Sequence, residues 1–142
     1  MTPLGDVYEA FLSKMSEDEW ENWTDEEAQY DWFTLLKSAI PYFKFPRKQL
    51  DIVDNLYFEE KLDNEEIQIL ATYMKCEWLN RIILSYENVK PLYEERDFSQ
   101  ANLLDKLNAT LEAEKSKAKQ LESIYYRSIK GKPFNYKKLA GN

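Results

Sequence analysis

The chain is predicted to be all-α: a small helix bundle with a long C-terminal helix and an extended C-terminal arm. Three observations point there. Only three of its 142 residues are glycine, Gly5, Gly131 and Gly141, whereas hairpins, bulges and phosphate-cradling loops draw on glycine and helices do not. Apolar residues recur at alternating three-and-four steps through most of the chain. Ser, Thr or Asp followed three residues later by Glu, the pattern that opens helices, stands ahead of several of these runs. The length suits one core and not two. A content of 44% hydrophobic and 15% aromatic residues argues against general disorder despite 32% charged residues. The expected organisation is one helical domain over residues 1–130 and a docking arm over 131–142.

The first helix is expected to start at Thr2-Pro3, a hydroxyl cap followed by proline in the first turn. Leu4, Val7, Tyr8, Phe11, Leu12 and Met15 then give it an apolar face ending near Met15. Ser16-Glu17-Asp18-Glu19 and Thr24-Asp25-Glu26-Glu27 both fit the capping box, so two helix starts are expected here. The second runs from Asp25 to Ile40 with Tyr30, Phe33, Leu36 and Ile40 inward, and stops before Pro41. An aromatic loop bracketed by prolines, Pro41 to Pro46, follows. Arg47 to Leu62 is expected to form another helix with Leu50, Val53, Leu56 and Tyr57 on one side. Asp63-Asn64-Glu65-Glu66 caps the next, its acids favoured at the positive end of the helix dipole. That helix carries one stripe of Ile67, Leu70, Ala71, Met74, Trp78 and Ile82, widened by Ile69, Tyr73, Cys76, Leu79 and Ile83. A helix apolar on more than one face belongs in the middle of a bundle. It runs to about Lys90 and breaks at Pro91. Asp97-Phe98-Ser99-Gln100 opens the last helix, where Leu104, Leu107, Leu111, Ala118, Leu121 and Tyr125 form a narrow seam interrupted by Glu114, more like a coiled-coil contact than a core face. Arg127 and Lys130 suit its C-terminus, and Gly131 suits a left-handed cap.

The net charge of −7 hides a gradient: seventeen acidic against six basic residues over 1–66, and nine against thirteen over 67–142. Such a chain attracts a copy of itself head to tail, the heterologous contact that closes rings. A lone Cys76 excludes an internal disulfide and any cysteine-built metal or redox motif, and reads as a small core residue. The first residues lack a basic-then-apolar leader, and no window nears the roughly 18 apolar residues of a membrane span. The expectation is a chain made in a reducing cytoplasm, with no membrane association.

Histidine is absent, which removes the commonest general base and metal ligand. The acids fall in first turns and on outward faces, so no enzyme, cofactor or metal site is expected. The run Glu17, Asp18, Glu19, Glu21, Asp25, Glu26, Glu27 and Asp31 contains no base and is interleaved with Trp20, Trp23, Tyr30 and Trp32. It reads first as acid-decorated helix starts over packed tryptophans, and second as an acidic surface that repels or mimics nucleic acid or meets a basic partner. The arm, Lys130 to Asn142, holds four lysines and no acid. Phe134, Tyr136 and Leu139, with Lys137 and Lys138, are spaced to anchor an extended segment on a protein groove or sheet edge. Four lysines on an otherwise acidic molecule bind nucleic acid poorly.

Asp97 to Leu107, followed by Ala118 to Arg127, resembles the long C-terminal helix of neck proteins of tailed bacteriophages, and Tyr73 to Ile82 is similar to the helix that precedes it in that pattern. The resemblance spans roughly residues 63–130. It implies a head-to-tail connector or adaptor: a homo-oligomeric ring between portal and tail, in the virion, with its arm on an adjacent ring and DNA passing nearby without specific binding. In that setting Phe134, Tyr136, Lys137, Lys138 and Leu139 dock to the neighbouring neck, portal or tail protein, and Leu104, Leu107, Leu111, Leu121 and Tyr125 pack the long helix. The alternative is a small acidic regulatory protein, a DNA mimic that blocks a nucleic-acid enzyme through Glu17 to Asp31.

Overall fold

The computed structural model describes residues 1–16, 19–89, 98–129 and 132–133, with the backbone alone at residues 88, 89, 98–101, 129, 132 and 133. In chain order the elements are strand β1 (Thr2–Pro3), helix α1 (Leu4–Ser13), helix α2 (Asp25–Ala39), a 3-10 turn (Ile40–Tyr42), strands β2 (Ile52–Val53) and β3 (Tyr57–Phe58), helix α3 (Asn64–Val89), helix α4 (Phe98–Tyr126), and strands β4 (Ser128–Ile129) and β5 (Lys132–Pro133). The protein is a small all-α bundle with a long C-terminal helix. Its short strands are details at the bundle's edge.

Helix α3 is the axis, and α1, α2 and α4 each pack along it. Its start is fixed as the sequence expected. The Asp63 carboxylate accepts from the Glu66 backbone N–H at 2.9 Å, while Glu66 Oε1 accepts from the Asp63 N–H at 2.9 Å. Two donors left over at the helix end are thereby satisfied reciprocally. Ile69, Leu70, Ala71, Tyr73, Met74, Cys76, Trp78, Leu79 and Ile83 are all buried, so this helix hides more than one face. Leu4, Val7, Tyr8 and Phe11 of α1, Ala28, Leu35, Leu36 and Ala39 of α2, and Leu111, Ala118 and Tyr125 of α4 join it in the core, with Trp20, Phe43, Phe58 and Leu62 from the connecting segments.

Several expectations are corrected. Thr2-Pro3 does not cap a helix. The residue before proline is biased to extended backbone, and Thr2 pairs with Phe58 in an antiparallel strand. Its buried hydroxyl accepts from the Leu62 N–H at 2.8 Å and donates to the Glu60 carbonyl at 3.2 Å. The first helix accordingly runs from Leu4 and stops at Ser13, short of Met15. No helix begins at Ser16; Glu17 and Asp18 lie outside the described residues, and the chain runs from Glu19 through turns to Thr24. Thr24 is a true cap, accepting from the Glu27 N–H at 3.2 Å. Helix α2 ends at Ala39, where Pro41 tightens the chain into the 3-10 turn. Tyr30, expected inward, is 74% exposed, because Ala28, Leu35, Leu36 and Ala39 define a different inward face.

The largest departure is Arg47 to Leu62, which forms no helix. Val53 and Leu56 close a turn with a 3.0 Å backbone bond, and its two central residues, Asp54 and Asn55, have φ of 55° and 58°. Two consecutive positive φ values define the primed turns that match the twist of a hairpin, and Asp and Asn tolerate that region best after glycine. The strands register Ile52 with Phe58 and Val53 with Tyr57, and β1 adds on the other side of β3. Lastly, α4 ends at Tyr126 and not at Gly131. The chain instead turns back so that Ser128–Ile129 pairs with Lys132–Pro133; Lys130 and Gly131 lie outside the described residues.

Candidate functional site

The C-terminal end of α4 gathers a network of long-range polar contacts. Glu66, fully buried in the first turn of α3, holds Lys48 at 2.9 Å and accepts from the Tyr125 hydroxyl at 2.8 Å. A buried carboxylate is tolerable only when its lone pairs are taken up, and three donors from three parts of the chain do so here. The Tyr125 hydroxyl in turn accepts from the Arg47 backbone N–H at 2.6 Å. Arg47 then folds over the same ring, its guanidinium carbon 3.7 Å from the ring centroid, and donates to the carbonyls of Tyr125 and Ser128 at 2.9 Å each. Those carbonyls belong to the end of α4 and the start of β4, where helical acceptors have no partner of their own and a cation is favoured by the dipole. One arginine from the segment between the 3-10 turn and β2 thus serves as the cap of α4 and holds Ser128 against the bundle.

Aromatic rings surround this clamp. Phe43 packs edge-on against Tyr125 with centroids 5.3 Å apart, Tyr125 against Tyr126 at 5.6 Å, and Tyr42 stacks on Tyr73 at 5.6 Å. Phe45 lies over Tyr126 with centroids 6.1 Å apart, yet it is 72% exposed. The neighbouring Glu122 is nearly buried; it accepts hydrogen bonds from the Tyr73 hydroxyl and, at 2.7 Å, from Tyr126. Burial, then the bond to Glu122, pushes the Tyr126 phenol up to about 12; burial first, then the bond to Glu66, raises Tyr125 well above the ordinary tyrosine range.

The five residues named for helix packing all face the bundle. Leu111 and Tyr125 are buried, and Leu104, Leu107 and Leu121 pack half-buried against the core. Glu114, the break in that seam, is itself buried and meets Lys75 at 3.2 Å and Lys117 at 3.5 Å. The five arm residues Phe134, Tyr136, Lys137, Lys138 and Leu139 lie outside the described residues. Of the acidic run, Glu17 and Asp18 also lie outside them. Asp31 receives a two-pronged bond from Arg81 at 2.6 and 3.0 Å and another from the Trp20 indole at 2.7 Å. Glu19 stands 3.6 Å from the same arginine and accepts from the Trp78 indole. Burial alone would raise the Asp31 carboxyl; the bonds from Arg81 and Trp20 and the arginine's charge outweigh it and hold the group below the usual carboxylate range. Glu21, Asp25, Glu26 and Glu27 remain exposed.

Arg47, Lys48, Phe45 and Tyr126 were not singled out as site residues from the sequence, and Glu66 was named only for its place in the helix cap. One signal was present: a basic pair following an aromatic loop, with a tyrosine pair at the end of the last helix. Only the fold joins the two across 78 residues. Among the described residues no group of three or more His, Cys, Asp or Glu side chains is placed to hold a metal ion, and no helix is long and apolar enough to cross a membrane. Compared with known proteins, the chain matches no protein-family model, no curated protein and no solved structure.

Proposed function

We propose that this protein is a virion structural component of the head-to-tail connector of a tailed bacteriophage, a neck or adaptor subunit that forms a ring between portal and tail around the DNA channel. The role is mechanical and needs no cofactor. The supporting observation is the Arg47 clamp. It ties the end of α4 and Ser128 to the segment at Arg47 and to the start of α3, so the residue just ahead of the arm is held on a fixed base. A segment that docks on a neighbour loses less entropy on binding when its root is already held. The basic, aromatic composition of Phe134, Tyr136, Lys137, Lys138 and Leu139 supplies the anchors. The acidic exterior over Glu21 to Glu27 suits a surface that DNA passes without adhering, since carboxylates repel phosphates.

The DNA-mimic alternative draws no support from the placement of the acids. Asp31 and Glu19 are engaged by Arg81 and two tryptophans inside the fold, which leaves a smaller and less continuous acidic face. The test is removal of Lys132 to Asn142. The truncated chain is expected to keep its helical circular dichroism and its cooperative unfolding, and to lose association with a portal or neighbouring neck ring in sedimentation. Assembly that proceeds unchanged without those residues refutes the arm's role.

A further inference from the structure

Tyr30 and Trp23 stand on the outward side of α2 and the turn before it, 74% and 39% exposed. With Glu26, Glu27 and Asp31 they line a shallow open depression. Neither ring takes part in an aromatic or hydrogen-bonded side-chain contact among the described residues. The first turn of α2 carries Asp25, Glu26 and Glu27, so the positive end of the helix dipole is over-neutralised and the patch is net negative. Two exposed rings beside carboxylates form a surface for a partner that is both basic and aromatic.

We propose that this α2 face receives the C-terminal arm, residues 130–142, of a second copy of the chain, so that successive subunits are joined acidic face to basic arm. The proposal rests on the connector reading and specifies the contact between neighbours. Charge complementarity is the first argument: the arm brings Lys130, Lys132, Lys137 and Lys138 with Phe134 and Tyr136, and no acid. Reach is the second. The root of the arm is held at Ser128 by Arg47, at the level of Glu66 on α3, whereas Tyr30 adjoins Asp31, which is bound at the level of Arg81. Glu66 and Arg81 lie about 22 Å apart along the helix at 1.5 Å per residue. Pro133 pairs directly with Ser128, and Tyr136, three residues further on, extends at most about 11 Å beyond it. The backbone of Phe134 and Tyr136 therefore stops about halfway to a chain's own α2 face, which favours a second copy as the source of the aromatic anchors. The contact is head to tail, which propagates or closes into a ring.

The test is titration of a synthetic peptide of residues 130–142 into the full-length chain at micromolar concentration, followed by calorimetry and by the fluorescence of exposed Trp23. Stoichiometric binding is expected. It should weaken at least tenfold in the Glu26→Lys/Glu27→Lys chain and also in the Trp23→Ala/Tyr30→Ala chain, with circular dichroism showing both folded. A peptide carrying Lys137→Glu and Lys138→Glu should recover affinity for the charge-reversed chain. Absence of binding, or equal binding to the reversed chain, overturns the assignment of this face. If deletion of Lys132 to Asn142 still abolishes ring assembly in that case, the arm docks elsewhere and the connector reading stands. Peptide binding as expected, with no association to a portal ring under any condition, removes the connector reading and leaves the self-docking face.

Discussion

Replacing Tyr125 by Phe isolates one oxygen atom from the clamp. The ring keeps its edge contact with Phe43 and its position under Arg47, so apolar packing is conserved. Two hydrogen bonds disappear: the 2.8 Å donation to the fully buried Glu66 carboxylate and the 2.6 Å acceptance from the Arg47 N–H. A bond to a charged group contributes about 1.5–3 kcal/mol, and a part-buried N–H left without an acceptor adds about 1 kcal/mol. The expected loss is therefore about 2.5–4 kcal/mol. At an m of about 2 kcal/mol/M the urea midpoint should fall by roughly 1–2 M with the slope unchanged. Tryptophan fluorescence reports the transition. Tyr126→Phe is the internal control: its hydroxyl also meets a carboxylate, Glu122 at 2.7 Å, but Tyr126 is 43% exposed and Glu122 keeps its bond from Tyr73, so water replaces the lost bond at a cost below about 1 kcal/mol. A loss under about 0.5 kcal/mol for Tyr125→Phe, or equal losses for the two variants, would refute a buried network at the end of α4.

Three further outcomes follow from the structure. Asp54→Val places a β-branched residue at a φ of 55° and should destabilise the chain by about 1–2 kcal/mol, whereas Asp54→Gly should stay within about 1 kcal/mol of the parent; equal urea midpoints for the two variants contradict the primed turn. Asp31 has a depressed folded value, so its contribution is complete above its ordinary value of 3.8 and is lost as pH falls through the lower folded value. Asp31→Asn should consequently be clearly less stable than the parent at pH 7, with the gap closing below about pH 4; a gap independent of pH counts against the Arg81 pairing. Burial pushes Tyr8 up to about 12 and also raises Tyr73, Tyr125 and Tyr126. These raised phenols favour the fold below their unfolded value of 10.0, and that stability is lost as pH rises through the folded values. Spectrophotometric titration should resolve a class of the ten tyrosines that ionises late or only with unfolding, and a single class near pH 10 would contradict the burial.

Legibility followed the range of the interaction concerned. The start of α3 was readable because its determinants, Asp63 and Glu66, are three residues apart and satisfy one another's backbone groups. Its central place was readable from apolar residues on more than one face, and the seam of α4 from its three-and-four spacing. The hairpin at 52–58 was misread because Leu50, Val53, Leu56 and Tyr57 also satisfy a helical spacing; Asp54-Asn55 was the counter-signal, weaker than a glycine turn. Thr2-Pro3 has the composition of a cap, and only the availability of Phe58 as a strand partner made it an edge strand. Tyr30 was placed inward by period and turned outward by the choice of which face of α2 meets α3.

The sequence by itself determined the all-α class, the helix starts at Thr24 and Asp63, the central place of α3 and the polarity of charge from end to end. These depend on neighbours within a turn or two, or on composition, and each residue carries that information locally. Tertiary structure alone decided that Arg47 would cap a helix 78 residues away, that Glu66 would be buried with Tyr125 and Lys48 as partners, and that Asp31 would be taken up by Arg81 while Glu26 and Glu27 stayed on the surface. A charge or a hydroxyl has no sequence period that names its partner. Which groups meet is fixed only when apolar burial has set the helices side by side, and the polar contacts then form among whatever that packing brings within reach.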